Sequence, residues 1–140
     1  MKHKNIIIIS SIDWDTQWQW HHEITNYLNL NNSRVLFIEN TGTRRVKINE
    51  LKRIINRIYK IFKSKGGFTL INKNLTLYTP FFFPLLPYNY FIRKINSFII
   101  NKKINKWSKL NNFYEPVVIS FLPTPIALSI IKNVMPLVSV

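Results

Sequence analysis

Asn5-Ile6-Ile7-Ile8-Ile9-Ser10, at residues 5–10, decides how the rest of the chain is read. Four successive β-branched residues with no polar alternation have both faces buried, the pattern of a central strand in a parallel sheet. The preceding Met1-Lys2-His3-Lys4 mimics the charged start of a signal peptide, but the apolar run is short and ends at Asp13-Trp14-Asp15 without a small-residue cleavage site. A first strand is therefore expected. Outward from it, Thr16-Gln17-Trp18-Gln19 reads as a capping box, and Trp20, Ile24, Tyr27 and Leu28 fall on one face of a helix. Val35 to Ile38 is a second buried run, ending at Glu39-Asn40-Thr41-Gly42. Together these make one βαβ unit.

The pattern continues. Between Lys47 and Lys63, Ile48, Leu51, Ile55, Ile58 and Phe62 are spaced as the apolar stripe of a basic amphipathic helix. Gly66-Gly67 stops it, and Phe68 to Ile71 and Leu75 to Thr79 read as strands, the second joining the parallel sheet. Phe91, Ile95, Phe98 and Ile99 open another basic helix that runs to about Leu110, followed by a buried strand at Val117 to Phe121. A short helix over Ile126 to Lys132 and a last strand from Leu137 to Val140 complete the chain. The fold class expected is α/β, a doubly wound, mostly parallel Rossmann-like sheet with right-handed crossovers, forming one domain over residues 1–140. A chain that stops within an apolar strand predicts continuation beyond residue 140, because natural sheets cover or blunt such an edge.

The 140 residues carry a net charge of +14 and no cysteine, which excludes disulfides, thiolate metal sites and a cysteine nucleophile. Residues 44–109 hold 16 basic residues and one acidic residue, Glu50, so that this segment carries +15 and the remainder −1. Abundant Ile, Asn and Lys beside a single alanine, Ala127, point to an AT-rich coding composition as one source of the excess. The other source is a polyanionic partner, a nucleic acid or an anionic membrane. Pro80 to Tyr90 is apolar but too short for the ~20 residues of a spanning helix, and it contains three prolines.

Ligands of an open α/β sheet bind beyond the carboxyl ends of its strands. The first such loop offers Asp13, Trp14, Asp15, Trp18, Gln19 and His22, with three of the four tryptophans within seven residues. Indoles can stack on a sugar ring or cover an apolar tail. Core packing serves equally well for Trp14 and Trp18, and Trp20 reads as core. His21-His22 lacks the i, i+4 spacing of a zinc helix, so no metal is expected, and His22 is either solvated or a polar group facing the cleft. There is no glycine before Gly42, which removes the phosphate loop of a nicotinamide or flavin site even though Glu39 sits where a ribose-binding acid would. The second loop adds Asn40, Thr41, Gly42 and Arg44, and the turn after the Val117 strand adds Thr124. A membrane surface would be met by Lys52, Arg53, Arg57, Lys60, Arg93 and Lys94 together with Phe82, Phe83, Leu85 and Leu86 of the proline-aromatic loop, since apolar burial and attraction to anionic lipid add.

The tryptophan-rich loop Asp13-Trp14-Asp15 with Trp18-Gln19-x-His21-His22, the turn Val35-Leu36-Phe37-Ile38-Glu39-Asn40-Thr41-Gly42-x-Arg44, the proline-rich loop and Arg93-x-x-Asn96 resemble the N-terminal domain of glycosyltransferases of family 4. The similarity extends over essentially the whole chain. It departs from the family where a glycine-rich first loop is common, and Trp20 stands where an arginine is frequent. The resemblance implies the acceptor-binding half of a GT-B enzyme, metal-free and retaining. A missing C-terminal half would bind the nucleotide-sugar donor, and this domain itself would bind no cofactor. It further implies a glycan or lipid-linked acceptor and a cytoplasmic, peripheral position at the inner face of the plasma membrane. Independently of the resemblance, the guanidinium pair Arg44-Arg45 of the second loop either grips a phosphate or carboxylate or is simply solvated. A basic nucleic-acid-binding module and a non-catalytic flavodoxin-like domain are the competing expectations. No nucleic-acid motif accompanies the basic segment.

Overall fold

The structure, a computed structural model, describes residues 4–40, 51–81, 89–136 and 138–140. Ten elements follow in chain order: β1 (Asn5–Ile9), α1 (Trp20–Leu30), β2 (Arg34–Ile38), α2 (Leu51–Lys63), β3 (Phe68–Asn72), β4 (Leu75–Tyr78), α3 (Tyr90–Leu110), β5 (Val117–Ser120), α4 (Pro125–Val134) and β6 (Val138–Ser139). They form one six-stranded sheet of order β3-β4-β2-β1-β5-β6. All pairings are parallel except β3 with β4. The isoleucine run pairs on both sides, Ile7 with Leu36 and with Val118, and Ile7, Ile8 and Ile9 are fully buried.

Alternation along β1 divides the core. Ile7 and Ile9 lie with Leu36, Ile38 and Tyr78 under Ile100 and Ile104 of α3 and Ile126 and Ile130 of α4. Ile6 and Ile8 lie with Val35, Phe37, Leu75 and Leu77 on the other face, covered by Ile24 and Leu28 of α1 and by Trp14. Helices thus occupy both faces of a mostly parallel sheet, consistent with the doubly wound expectation. Each fully buried isoleucine contributes roughly 1.5–3 kcal/mol relative to exposure.

Local chemistry sets the boundaries. Asn89 caps α3 by accepting from the Phe91 and Ile92 N–H groups at 2.9 and 3.3 Å, and Thr124 caps α4 by accepting from Ala127 N–H at 3.2 Å. Asn72 Oδ1 accepts from the N–H groups of Asn74 and Leu75, closing the hairpin that makes β3 antiparallel. Gly67, at φ +100°, is required: a Cβ there would lie 2.7 Å from the Thr79 carbonyl oxygen.

Four expectations are corrected. Thr16 does not cap α1; it donates to the Asp13 carbonyl in a turn, and Gln19 is the N-cap, with His22 at the third helical position. Trp20 is not core but 78% exposed, because the face α1 turns to the sheet runs through His22, Thr25 and the half-buried Ile24 and Leu28. The buried face of α3 is Asn96, Ile100 and Ile104, whereas Phe91, Ile95 and Phe98 point to solvent. Ile55, Ile58 and Phe62 of α2 are exposed as well.

Candidate functional site

Three strands, β1, β2 and β4, end side by side, and one buried carboxylate joins the segments that leave them. Glu39, the residue after β2, is buried. Its Oε1 accepts the Trp14 N–H of the first loop at 2.8 Å, and its Oε2 accepts the Thr79 hydroxyl, just beyond β4, at 2.6 Å. A buried carboxylate is tolerable only when its oxygens are so satisfied. The first loop is further anchored where Ser10 N–H donates to the Ile38 carbonyl at 2.9 Å and Ser10 Oγ accepts from Ile12 N–H at 3.1 Å.

The loop's two aspartates are tied to α2. Arg57 Nη2 lies 2.6 Å from Asp13 Oδ1 and also donates to the Asn40 carbonyl, while Lys60 pairs with Asp15. Burial alone would lower the Lys60 pKa, but its hydrogen bond to Asp15 and the charges of Glu39, Asp15 and Asp13 outweigh that and hold it above the ordinary lysine value. Arg57 and Lys60 therefore face the loop rather than an outside surface.

His22 occupies neither of the positions expected for it. It is fully buried, with Nδ1 accepting the Gln19 N–H at 3.0 Å and Nε2 donating to the Trp14 carbonyl at 3.0 Å, which fixes the tautomer. Both nitrogens are occupied, so His22 is a positioning residue and not a free base. Its ring stacks on Trp18 at 4.8 Å and 18° and meets Trp14 edge-on at 4.9 Å; Trp14 in turn packs edge-on against Phe37 at 5.0 Å. Trp18 Nε1 donates to Glu23. Trp14 is half-buried and Trp18 largely exposed, so the loop presents one indole platform supported from beneath by a buried ring. His21, weighed beside His22 as a metal ligand and rejected on spacing, packs edge-on against Phe121 at 4.2 Å; burial, and then the neighbouring His22, lower its pKa.

The structure brings Asp13, Trp14, Asp15, Trp18, Gln19, His22 and Asn40 together at the carboxyl ends of the strands. Thr124 lies at the carboxyl side of β5, its hydroxyl used in the α4 cap. Thr41, Gly42, Arg44, Phe82, Phe83, Leu85 and Leu86 lie outside the described residues, as does the side chain of Arg53. Lys52 is exposed, Arg93 half-buried, and Lys94 exposed with its ammonium 5.0 Å from the Tyr90 ring. A groove of about 1460 Å³ opens from this site along the β3 edge; Trp14, Asp15, Glu39 and Thr79 line one end and Lys103, Lys106 and Trp107 the other. Among the described residues no cluster of His, Asp and Glu is placed to hold a metal ion, and no helix is long and apolar enough to cross a membrane. The chain matches no family model, no curated protein and no solved structure.

Proposed function

We propose that this chain is the acceptor-binding half of a GT-B glycosyltransferase, which presents a membrane-associated or lipid-linked glycan to a nucleotide-sugar held by a further domain. The reading rests on the resemblance of the first loop and the Glu39-Asn40-Thr41-Gly42 turn to family 4 enzymes. The structural observation that supports it best is the Trp18 platform. One face of the indole is backed by the buried His22 ring while the residue remains more than half exposed, at the strand ends where α/β sheets bind ligands. A pyranose ring stacks its apolar C–H face on such an indole, and Asp13, Asp15 and Asn40 beside it supply polar partners for hydroxyl groups. Asp13 and Asp15 are already bound to Arg57 and Lys60, which orients them as acceptors.

Titration with oligosaccharides, followed by tryptophan fluorescence, tests the reading. Saturable quenching that is lost in Trp18→Ala and kept in Trp20→Phe is the expected result, and the absence of any saturable response across neutral and acidic glycans would overturn it. A nucleic-acid-binding module is favoured over a glycan-binding one by a single feature, the lysines of the groove. It predicts single-stranded RNA affinity falling steeply with salt.

A further inference from the structure

Helix α2 is amphipathic in sequence and is mounted the opposite way round from a helix that covers a sheet. Its charged side faces inward, with Arg57 on Asp13 and Lys60 on Asp15. Its apolar side faces outward: Ile55 is 63% exposed, Ile58 38%, Tyr59 64% and Phe62 85%. The spacing 55, 58, 59, 62 makes these side chains one continuous stripe. Large apolar residues scattered singly on a surface need no explanation, but a contiguous stripe marks a surface that another phase or molecule covers.

The surroundings of the stripe identify the cover. Tyr59 belongs both to the stripe and to the wall of the groove, whose other members include Lys63, Lys65, Lys103 and Lys106. Among the described residues none of these four forms an ion pair; Lys103 spends one N–H on the Gly66 carbonyl at 2.8 Å, and Lys63 lies 5.9 Å from the Tyr59 ring. Aliphatic and aromatic side chains flanked by uncompensated ammonium groups complement a bilayer with anionic headgroups, where the side chains enter the acyl boundary and the lysines meet phosphates. Helix α3 repeats the combination, with Phe91, Ile95 and Phe98 exposed and Lys102 lying 5.9 Å from the Phe98 ring. A second copy of the chain would bring +14 against +14. A nucleic acid would engage the lysines and leave Ile55, Ile58 and Phe62 in water.

We propose that the outward stripe of α2 is a docking surface for an anionic phospholipid bilayer. Because the inner side of the same helix holds Asp13 and Asp15, docking also sets the Trp18 loop at a fixed place relative to the membrane. That last consequence rests on the glycan-acceptor reading above; the docking surface stands on the helix alone.

Flotation with phosphatidylglycerol–phosphatidylcholine vesicles, against phosphatidylcholine alone, tests it. The chain is expected to float only with the anionic vesicles. Ile55→Ser with Phe62→Ser should lower the vesicle-bound partition coefficient by about tenfold or more, and each of Lys63→Gln, Lys65→Gln and Lys106→Gln by about fivefold, with circular dichroism unchanged because these side chains are exposed. No flotation with anionic vesicles, or flotation indifferent to the Ile55 and Phe62 substitutions, would overturn the proposal. So would concentration-dependent dimers in sedimentation that the same pair abolishes, since the stripe would then be a face between copies. Glycan quenching of Trp18 is measured separately: its loss with flotation intact removes the acceptor reading and leaves the docking surface, and the reverse result does the opposite.

Discussion

Glu39 does at the scale of one side chain what a disulfide or a metal does elsewhere: it joins three segments that are distant in sequence. Among the described residues each of its oxygens has a single protein donor, Trp14 N–H or Thr79 Oγ. Glu39→Ala strands the N–H of half-buried Trp14 and the buried Thr79 hydroxyl, and it is expected to cost on the order of 2–4 kcal/mol in urea unfolding. Glu39→Gln keeps one acceptor, and the Thr79 hydroxyl can turn to accept from the new amide, so about 1 kcal/mol is expected. Equal losses in the two variants would mean that the charge rather than the hydrogen bonds holds the loop. His21 makes a second residue-scale prediction. Burial and the adjacent His22 lower its folded pKa below the ordinary 6.5, so on acidification the unfolded chain takes up the proton first. Stability is then full above pH 6.5 and declines as pH falls below it. In His21→Phe this part of the decline should disappear from a series of thermal melts across that range. A variant with an unchanged slope would assign the decline to other groups. The sequence marked His22 as polar and therefore as solvated or facing the cleft. What it could not show is that Gln19 N–H and the Trp14 carbonyl satisfy both nitrogens, which lets a polar ring be packed like an apolar one.

Among elements, α2 is joined to the first loop by charge. Arg57 ties it to Asp13 and Asn40, and Lys60 ties it to Asp15. Arg57→Gln is expected to raise hydrogen-exchange rates of α2 amides by about tenfold while those of β1 stay unchanged, because the helix can open without the sheet. Equal acceleration in β1 would show that α2 and the sheet unfold as one unit. Helix existence was legible throughout, and helix orientation was not. In α1 the residues Ile24 and Leu28 belong to both the expected and the observed faces, but the face turns toward Thr25 and leaves Trp20 and Tyr27 in solvent. In α3 two apolar stripes run along one helix, Phe91-Ile95-Phe98 and Ile100-Ile104. Periodicity identifies both without saying which meets the sheet. In α2 periodicity pointed inward and two aspartates of a distant loop reversed it, a tertiary effect that no window of sequence contains.

For the molecule as a whole, the sheet was the readable part, because a strand buried on both faces writes itself as a continuous apolar run. Ile6 to Ile9 paired on both sides, as expected, and Leu75–Tyr78 joined β2 in parallel while Phe68–Asn72 took the antiparallel edge. Charge is the other property of the whole, and it sets two observables against each other. A net +14 is self-repulsive in the compact state, and added salt screens that repulsion. Among the described residues two ion pairs work the other way, but Lys60–Asp15 is largely exposed and worth little, which leaves Arg57–Asp13 as the main one of the two that salt can weaken. Repulsion among many like charges should therefore outweigh two pairs, and raising sodium chloride from about 20 to about 200 mM is expected to lift the melting midpoint by about 4 °C, the equivalent of ~1 kcal/mol at this length. The same titration should reduce the fraction floating with anionic vesicles, since there the screened interaction is attractive. A midpoint that falls with salt would instead show that Arg57–Asp13 dominates the electrostatics of folding, and that the lysine-rich segment is spread too widely to repel itself.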